Sequence, residues 1–187
     1  MLSSAPSTVS VRQALRRFRR SRRGSAAVEF ALVAPVFFAL LFAIIETALM
    51  FFAGQVLETI TQNSARMILT GQAQSGAYTQ ANFQSYVCGQ IPALFTCANI
   101  WVDVEDYPAF SSVVINSPID ASGNFVANKY CPGNAQDIIV VRLAYQWPLF
   151  VTGLGYNIAS VPGGSMHLLT ATAAFRNEPF LANPSTC

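Results

Sequence analysis

From Phe30 to Ala53 the chain reads FALVAPVFFALLFAIIETALMFFA, and Glu46 is the one charged residue in that run. Helix rises about 1.5 Å per residue, so the run reaches about 36 Å, enough to cross a hydrocarbon layer of about 30 Å with some tilt. A segment this long and this apolar on every face is unlike a helix of a soluble core, and it predicts a membrane span. An ordinary secretory signal has a shorter apolar core that ends at a small-x-small cleavage site. Phe51-Phe52-Ala53 fits that site poorly, so the apolar segment is expected to stay in the mature protein.

Charge sets the orientation. Seven arginines lie between Arg12 and Arg23, among them Arg16, Arg17, Arg19, Arg20, Arg22 and Arg23, and no other Lys or Arg appears before Arg66. Basic flanks stay on the cytoplasmic side. The N-terminus is therefore expected on the cytoplasmic side and the bulk of the chain outside. From Ser25 onward four basic residues face nine acidic ones, a formal balance of −5. Clustered arginines also suit nucleic acid, but the apolar run follows them at once, and topology explains the charge better. No nucleic-acid partner is expected. Apolar residues make up 52% of the chain and charged ones 11%, which excludes a charge-rich disordered chain and argues against a typical cytosolic enzyme.

The junction before the span reads Arg22-Arg23-Gly24-Ser25-Ala26-Ala27-Val28-Glu29-Phe30. A basic leader ends in Gly, small residues follow, and a lone carboxylate opens an apolar helix. An ionised Glu in hydrocarbon is costly unless it is paired or lies near the headgroups. Glu29 at the cytoplasmic headgroups, favouring a helix N-terminus, is one account of it. The whole pattern resembles the type IV prepilin signal. That resemblance implies cleavage by a prepilin peptidase between Gly24 and Ser25, with Glu29 as residue five of the mature chain. Glu29 would then neutralise the new amino group of Ser25, or that of a neighbouring subunit, and give subunits a register.

GSAAVEFALVAPVFFALLFAIIE is similar to the N-terminal signature of the TadE-like family, the pseudopilins of tight-adherence (Tad) pilus systems. Ala174-Phe175-Arg176-Asn177-Glu178-Pro179-Phe180 resembles that family's closing R-x-E-P segment. The resemblance implies a pilin-like subunit or minor pilin that works in adhesion and biofilm systems by protein contacts. Its partners would be the peptidase, other pilins or pseudopilins, the inner-membrane assembly platform and the bilayer. Rival readings are an uncleaved single-pass scaffold of the same machinery, or a membrane-anchored periplasmic binding protein or enzyme.

Proline removes a backbone donor, so Pro35 is expected to kink the span. Glu46 lies about 25 Å beyond Glu29 along a helix and is expected to snorkel to the outer interface, with a contact to another subunit inside the membrane as the alternative. Past the span Leu57, Ile60, Ser64, Met67 and Ile68 recur at helical spacing, with Gln55, Glu58, Gln62 and Arg66 on other faces. One helix from about Ser25 to Thr70 is predicted, apolar first and amphipathic after. Gly71 and the polar run after it end the helix. Four parts follow: a basic leader over 1–24, a transmembrane helix over 25–54, an amphipathic stem over 55–71 and an outer domain over 72–187.

In the outer domain a short helix is expected over Thr79–Gly89, with Tyr78, Phe83 and Tyr86 or Val87 inward. Ile100, Val102 and Val104 alternate with Trp101, Asp103 and Glu105 and predict a half-buried strand. Weaker strands are expected over Ser111–Ile115 and Asn124–Ala127, and stronger ones over Ile138–Trp147 and Met166–Arg176. Leu149–Gly164 reads as a loop. The fold class is α+β, a small antiparallel sheet packed on the outer half of the long helix. An oxidising compartment suits disulfides, and four cysteines allow three pairings. Cys88 with Cys97 is the closest pair in sequence, which leaves Cys131 with Cys187.

Catalytic groups are few. His167 is the only histidine, and Ser165 near it lacks the glycine spacing of a nucleophile elbow. It reads as a surface or partly buried polar residue. Asp103 and Glu105 would share a strand face, more as a solvated face than as a calcium site. No enzymatic activity, cofactor or metal is expected.

Overall fold

The computed structural model of the chain describes residues 24–91, 93–151 and 156–181. The arginines from Arg16 to Arg23 lie outside those residues, as does Cys187. Helix α1 runs from Ser25 to Leu69, through Pro35. The chain divides into two compact units with the boundary between Phe42 and Ala43; the architecture below is that of the second.

In that unit one stripe of α1 is buried: Glu46, Met50, Ala53, Leu57, Ile60, Ser64, Met67 and Ile68. Steps of three and four residues keep these positions on one face. The stripe expected from Leu57 onward thus begins three turns earlier. Thr61 and Ala65 are buried beside it; the Thr61 hydroxyl donates to the carbonyl of Leu57 at 2.8 Å, so it buries no unpaired donor. The helix ends where Gly71 takes a positive φ of 75° and its N–H bonds back to Ile68, a left-handed stop that glycine adopts without strain. A one-turn helix α2 follows at Gln72–Ser75, and α3 spans Gln80–Gly89 with Thr79 accepting from the N–H of Asn82 as its N-cap. Phe83 and Val87 face inward, and Tyr86 does not. The Cys88–Cys97 disulfide forms as expected and ties the end of α3 to the turn Cys97–Asn99. Cys131 also has a bonded partner; its expected partner Cys187 is outside the described residues.

Strands β1 (Ile100–Tyr107), β2 (Ile138–Pro148) and β3 (Met166–Arg176) form an antiparallel meander in sequence order. The register sets Val104 beside Val141 and Ala173, Val102 beside Leu143 and Ala171, and Ile100 beside Tyr145 and Leu169. Period-two alternation puts these on one face, and they join the α1 stripe, Phe83, Val87 and Phe95 in one core.

The other face of β1 corrects an expectation. Trp101 and Asp103 are buried as deeply as their neighbours, so the strand is covered on both sides rather than half-buried. The cover is the segment between β1 and β2. Trp101 Nε1 donates to the carbonyl of Val126 at 2.8 Å, Phe125 stacks on the Trp101 ring, and Asn128 donates to the carbonyl of Val102 at 2.7 Å. The weak strands expected in this segment do not form. Phe110–Ser112 is a single 3-10 turn, and Asn124–Ala127 contributes only a bridge from Phe125 to Ile119. Its backbone groups are met by side chains of β1 and β2, by short backbone pairings such as the bridge from Tyr130 to Val104, and by Asx turns, such as the one Asp120 makes to Ser122 and Asn124, so no full ladder is required.

Candidate functional site

Gly24 stands exposed just before α1, and a Cβ added to it would meet nothing within 4 Å. Ser25 is the first residue of the helix, and Glu29 is exposed one turn on. Val28, Phe30, Leu32, Val33, Val36, Phe37 and Leu40 are each more than half exposed, on all sides of the helix. Pro35 lacks an N–H, so the carbonyl of Ala31 has no helical donor at that turn. Apolar surface on this scale is not tolerated in water; it calls for lipid or other apolar helices around it. The helix is long and apolar enough to cross a membrane.

Glu46 departs from expectation. It does not snorkel: it is 5% exposed. Its carboxylate accepts the backbone N–H groups of Phe150 and of Val151, the latter at 3.2 and 3.0 Å to the two oxygens. One residue on, the Thr47 hydroxyl bonds the Tyr156 hydroxyl. A turn of the chain after β2 is thereby clipped to α1. A buried carboxylate needs donors, and here they are main-chain groups of a loop that would otherwise lack partners. The signal in the sequence was spacing: Glu46 lies seven residues before Ala53 and fourteen before Ile60, on the inward stripe.

The closing segment serves the fold. Asn177, buried to 3% exposure, donates to the carbonyls of Pro132 and Asn134 at 3.0 and 2.9 Å. The N–H of Glu178 bonds the carbonyl of Leu69, an orphan acceptor at the end of α1. The Phe180 ring lies where a Cβ on Gly71 would be, within 2.4 Å. Only glycine fits there, for space as well as for φ.

The polar groups that hinted at chemistry have structural partners. Asp103, expected on a solvated face, is 1% exposed. It receives Arg142 Nη2 at 2.7 Å and Nε at 3.2 Å, and the N–H of Lys129 at 2.8 Å. Arg142 also donates to the carbonyl of Asn116 at 2.7 Å and lies over the Trp101 ring. Bidentate pairing with further hydrogen bonds offsets the desolvation of both charges. A lone arginine in the run IIVVRLAY was the sequence signal for a buried acidic partner. His167 is partly buried, with Nδ1 at 2.6 Å from the carbonyl of Ile158. Exposed Lys129 pairs with the partly buried Glu105 at 3.5 Å beside an open cavity of about 590 Å3 lined also by Gln80, Asp106 and Tyr130. Partial burial pushes the Glu105 carboxyl up, but the Tyr107 hydroxyl and the Lys129 ammonium outweigh it and hold it below its ordinary range. Burial and the same hydrogen bond push the Tyr107 phenol up. Among the described residues no three His, Cys, Asp or Glu side chains are placed to hold one metal ion.

A family model described as TadE-like protein matches residues 24–66. The match begins at the junction glycine, runs through the apolar span and most of the buried stripe, and leaves out the closing segment. No curated protein and no solved structure matches the chain. The resemblance carried by the junction and the span is therefore shown where it was most specific: residues 24–66 match the TadE-like family model.

Proposed function

We propose that this chain is a membrane-anchored pseudopilin that acts in assembly of a Tad-type adhesive pilus through protein contacts, and that it catalyses no reaction. The observation that carries the reading is the junction itself. An exposed glycine stands directly before an apolar helix with a carboxylate in its first turns, and those residues open the TadE-like match. On this reading a prepilin peptidase cuts between Gly24 and Ser25. The arginines hold the leader at the cytoplasmic face. Glu29 pairs with the amino group of Ser25 or of a neighbouring subunit, and fixes register in the low-dielectric bundle where such a pair is strong. The span places the outer domain in the periplasm, where its disulfides are stable and its surface selects pilins, pseudopilins or the assembly platform.

The test is the N-terminus and intact mass of the protein taken from its native membrane. A chain that starts at Ser25 supports the processed pseudopilin. A chain that keeps the arginine leader overturns processing and leaves an uncleaved scaffold of the pilus machinery.

A further inference from the structure

The clip at Glu46 has a consequence for where the outer domain meets the bilayer. Within the second unit, Ile44, Ile45, Leu49, Phe51 and Phe52 are exposed on α1 around the buried Glu46. The exposed apolar surface of the helix therefore continues beyond the point where the loop is attached. Glu46 and the backbone bonded to it lie level with that flank, between Ile44 and Ile45 on one side and Leu49, Phe51 and Phe52 on the other.

The loop has the composition for that depth. Phe150 is 84% exposed although its own N–H is held by Glu46. Leu149 is buried beneath it, and Tyr156 reaches Thr47 through its hydroxyl, the amphipathic arrangement that tyrosine adopts at membrane interfaces. From Leu143 to Phe175 the sequence carries no Asp, Glu, Lys or Arg. Non-helical backbone is tolerated at membrane depth only where its polar groups are satisfied. The carboxylate of Glu46 satisfies two of them, the N–H groups of Phe150 and Val151.

We propose that the turn Leu149–Val151 is a membrane foot: Phe150 inserts among the lipids at the outer edge of the bilayer beside α1, and Glu46 holds it there. The inference rests on the reading of α1 as a membrane span. A second copy of the chain is the rival occupant of the same surface. Continuity with the exposed flank of α1 favours lipid, because both apolar surfaces lie at one depth and need one surrounding. The foot would fix the distance between the domain and the bilayer, and so the height at which the domain meets a partner.

Photocrosslinking of the full chain in native membranes tests this. The photoreactive residue benzoylphenylalanine is placed at Phe38 in the span, at Phe150, and at Val114, which is 60% exposed on the outer domain. The products are read by intact mass. Phospholipid adducts at 38 and 150 and none at 114 are expected, and Glu46→Ala should reduce the adduct at 150 while leaving that at 38. Adducts at 38 without any at 150, or polypeptide adducts at 150, overturn the foot and spare the span. Lack of lipid adducts at both 38 and 150 overturns the span reading and the foot with it. An undiminished adduct at 150 in Glu46→Ala overturns the holding role of Glu46.

Discussion

Leu40 and Leu57 belong to the same helix, yet Leu40 is 62% exposed and Leu57 is wholly buried. Upstream of Phe42 apolar residues occupy every side of α1; from Ala53 onward they follow the buried stripe, and Gln55, Thr59, Gln62, Asn63 and Arg66 stand exposed on the other sides. The two halves have the same secondary structure and different surroundings. A helix that is apolar all round expects an apolar environment on every side, whereas one with a stripe expects protein on one side and water on the rest. Substitutions should divide accordingly. Those in the upstream half should change processing and assembly and leave folding alone, and those in the downstream half should change folding.

The largest effect is expected at the junction. Gly24→Phe should leave nearly all of the protein with its leader attached, read by intact mass, with the unfolding midpoint of the outer domain unchanged. Space is available for the new side chain, so a loss of processing would report recognition and not misfolding. Normal cleavage of this variant would remove Gly24 from the processing site.

In the downstream half, Arg142→Met strands the Asp103 carboxylate at 1% exposure. Removing one partner of a buried pair costs about 3–5 kcal/mol, and a clear fall in the unfolding midpoint is expected. Leu57→Ala should cost about 2–5 kcal/mol, since the site is wholly buried between helix and sheet. Leu40→Ala should stay within about 0.5 kcal/mol in the same unfolding assay. Equal losses from the two leucines would break the division between the halves. Glu29→Ala sharpens it from the other side: cleavage and the midpoint should persist while the number of pili falls. Normal pili in such a strain would remove Glu29 from the assembly mechanism.

Much of this division was legible in the sequence because it is carried by period. The 3.6-residue stripe gave α1 to within a residue of its end, the β-branched run from Ile138 gave β2, and partial alternation gave β3. Two kinds of feature were not legible. The first is an alternation that tertiary structure overrides. Trp101 and Asp103 have the spacing of an outer face, and only the segment from Val113 to Lys129, whose own pattern is weak, turns that face into an interior. The second is pairing at long range. Glu46 meets a loop more than a hundred residues away, and nothing local marks Phe150 as its partner. Of the candidate site, the junction pattern that opens the family match is contiguous in the sequence, while the role of Glu178 and Phe180 in closing α1 required knowing that the closing segment meets the end of the helix.

The smallest effect expected is a test of whether the charged end of β1, where Glu105 meets Lys129, contributes to stability. Glu105 has its carboxyl held below the ordinary value of 4.5 by Tyr107 and Lys129 against the opposing pull of burial. A carboxyl lowered in the folded state stabilises the fold above its unfolded pKa, and that contribution is lost as the pH falls from 4.5 through the lowered value. The pair with Lys129 is largely open to water, so screening keeps the gain under about 1 kcal/mol. Glu105→Gln should therefore be slightly less stable than the parent at pH 7, and the two should converge as the pH falls through the lowered value, where the parent loses its charge as well. Tyr107→Phe should narrow the same window, since the phenol supplies the hydrogen bond at 2.6 Å. A difference between Glu105→Gln and the parent that persists undiminished at low pH would mean that the side chain acts through packing, and that this outer rim, like the stripe of α1, is held by shape and not by charge.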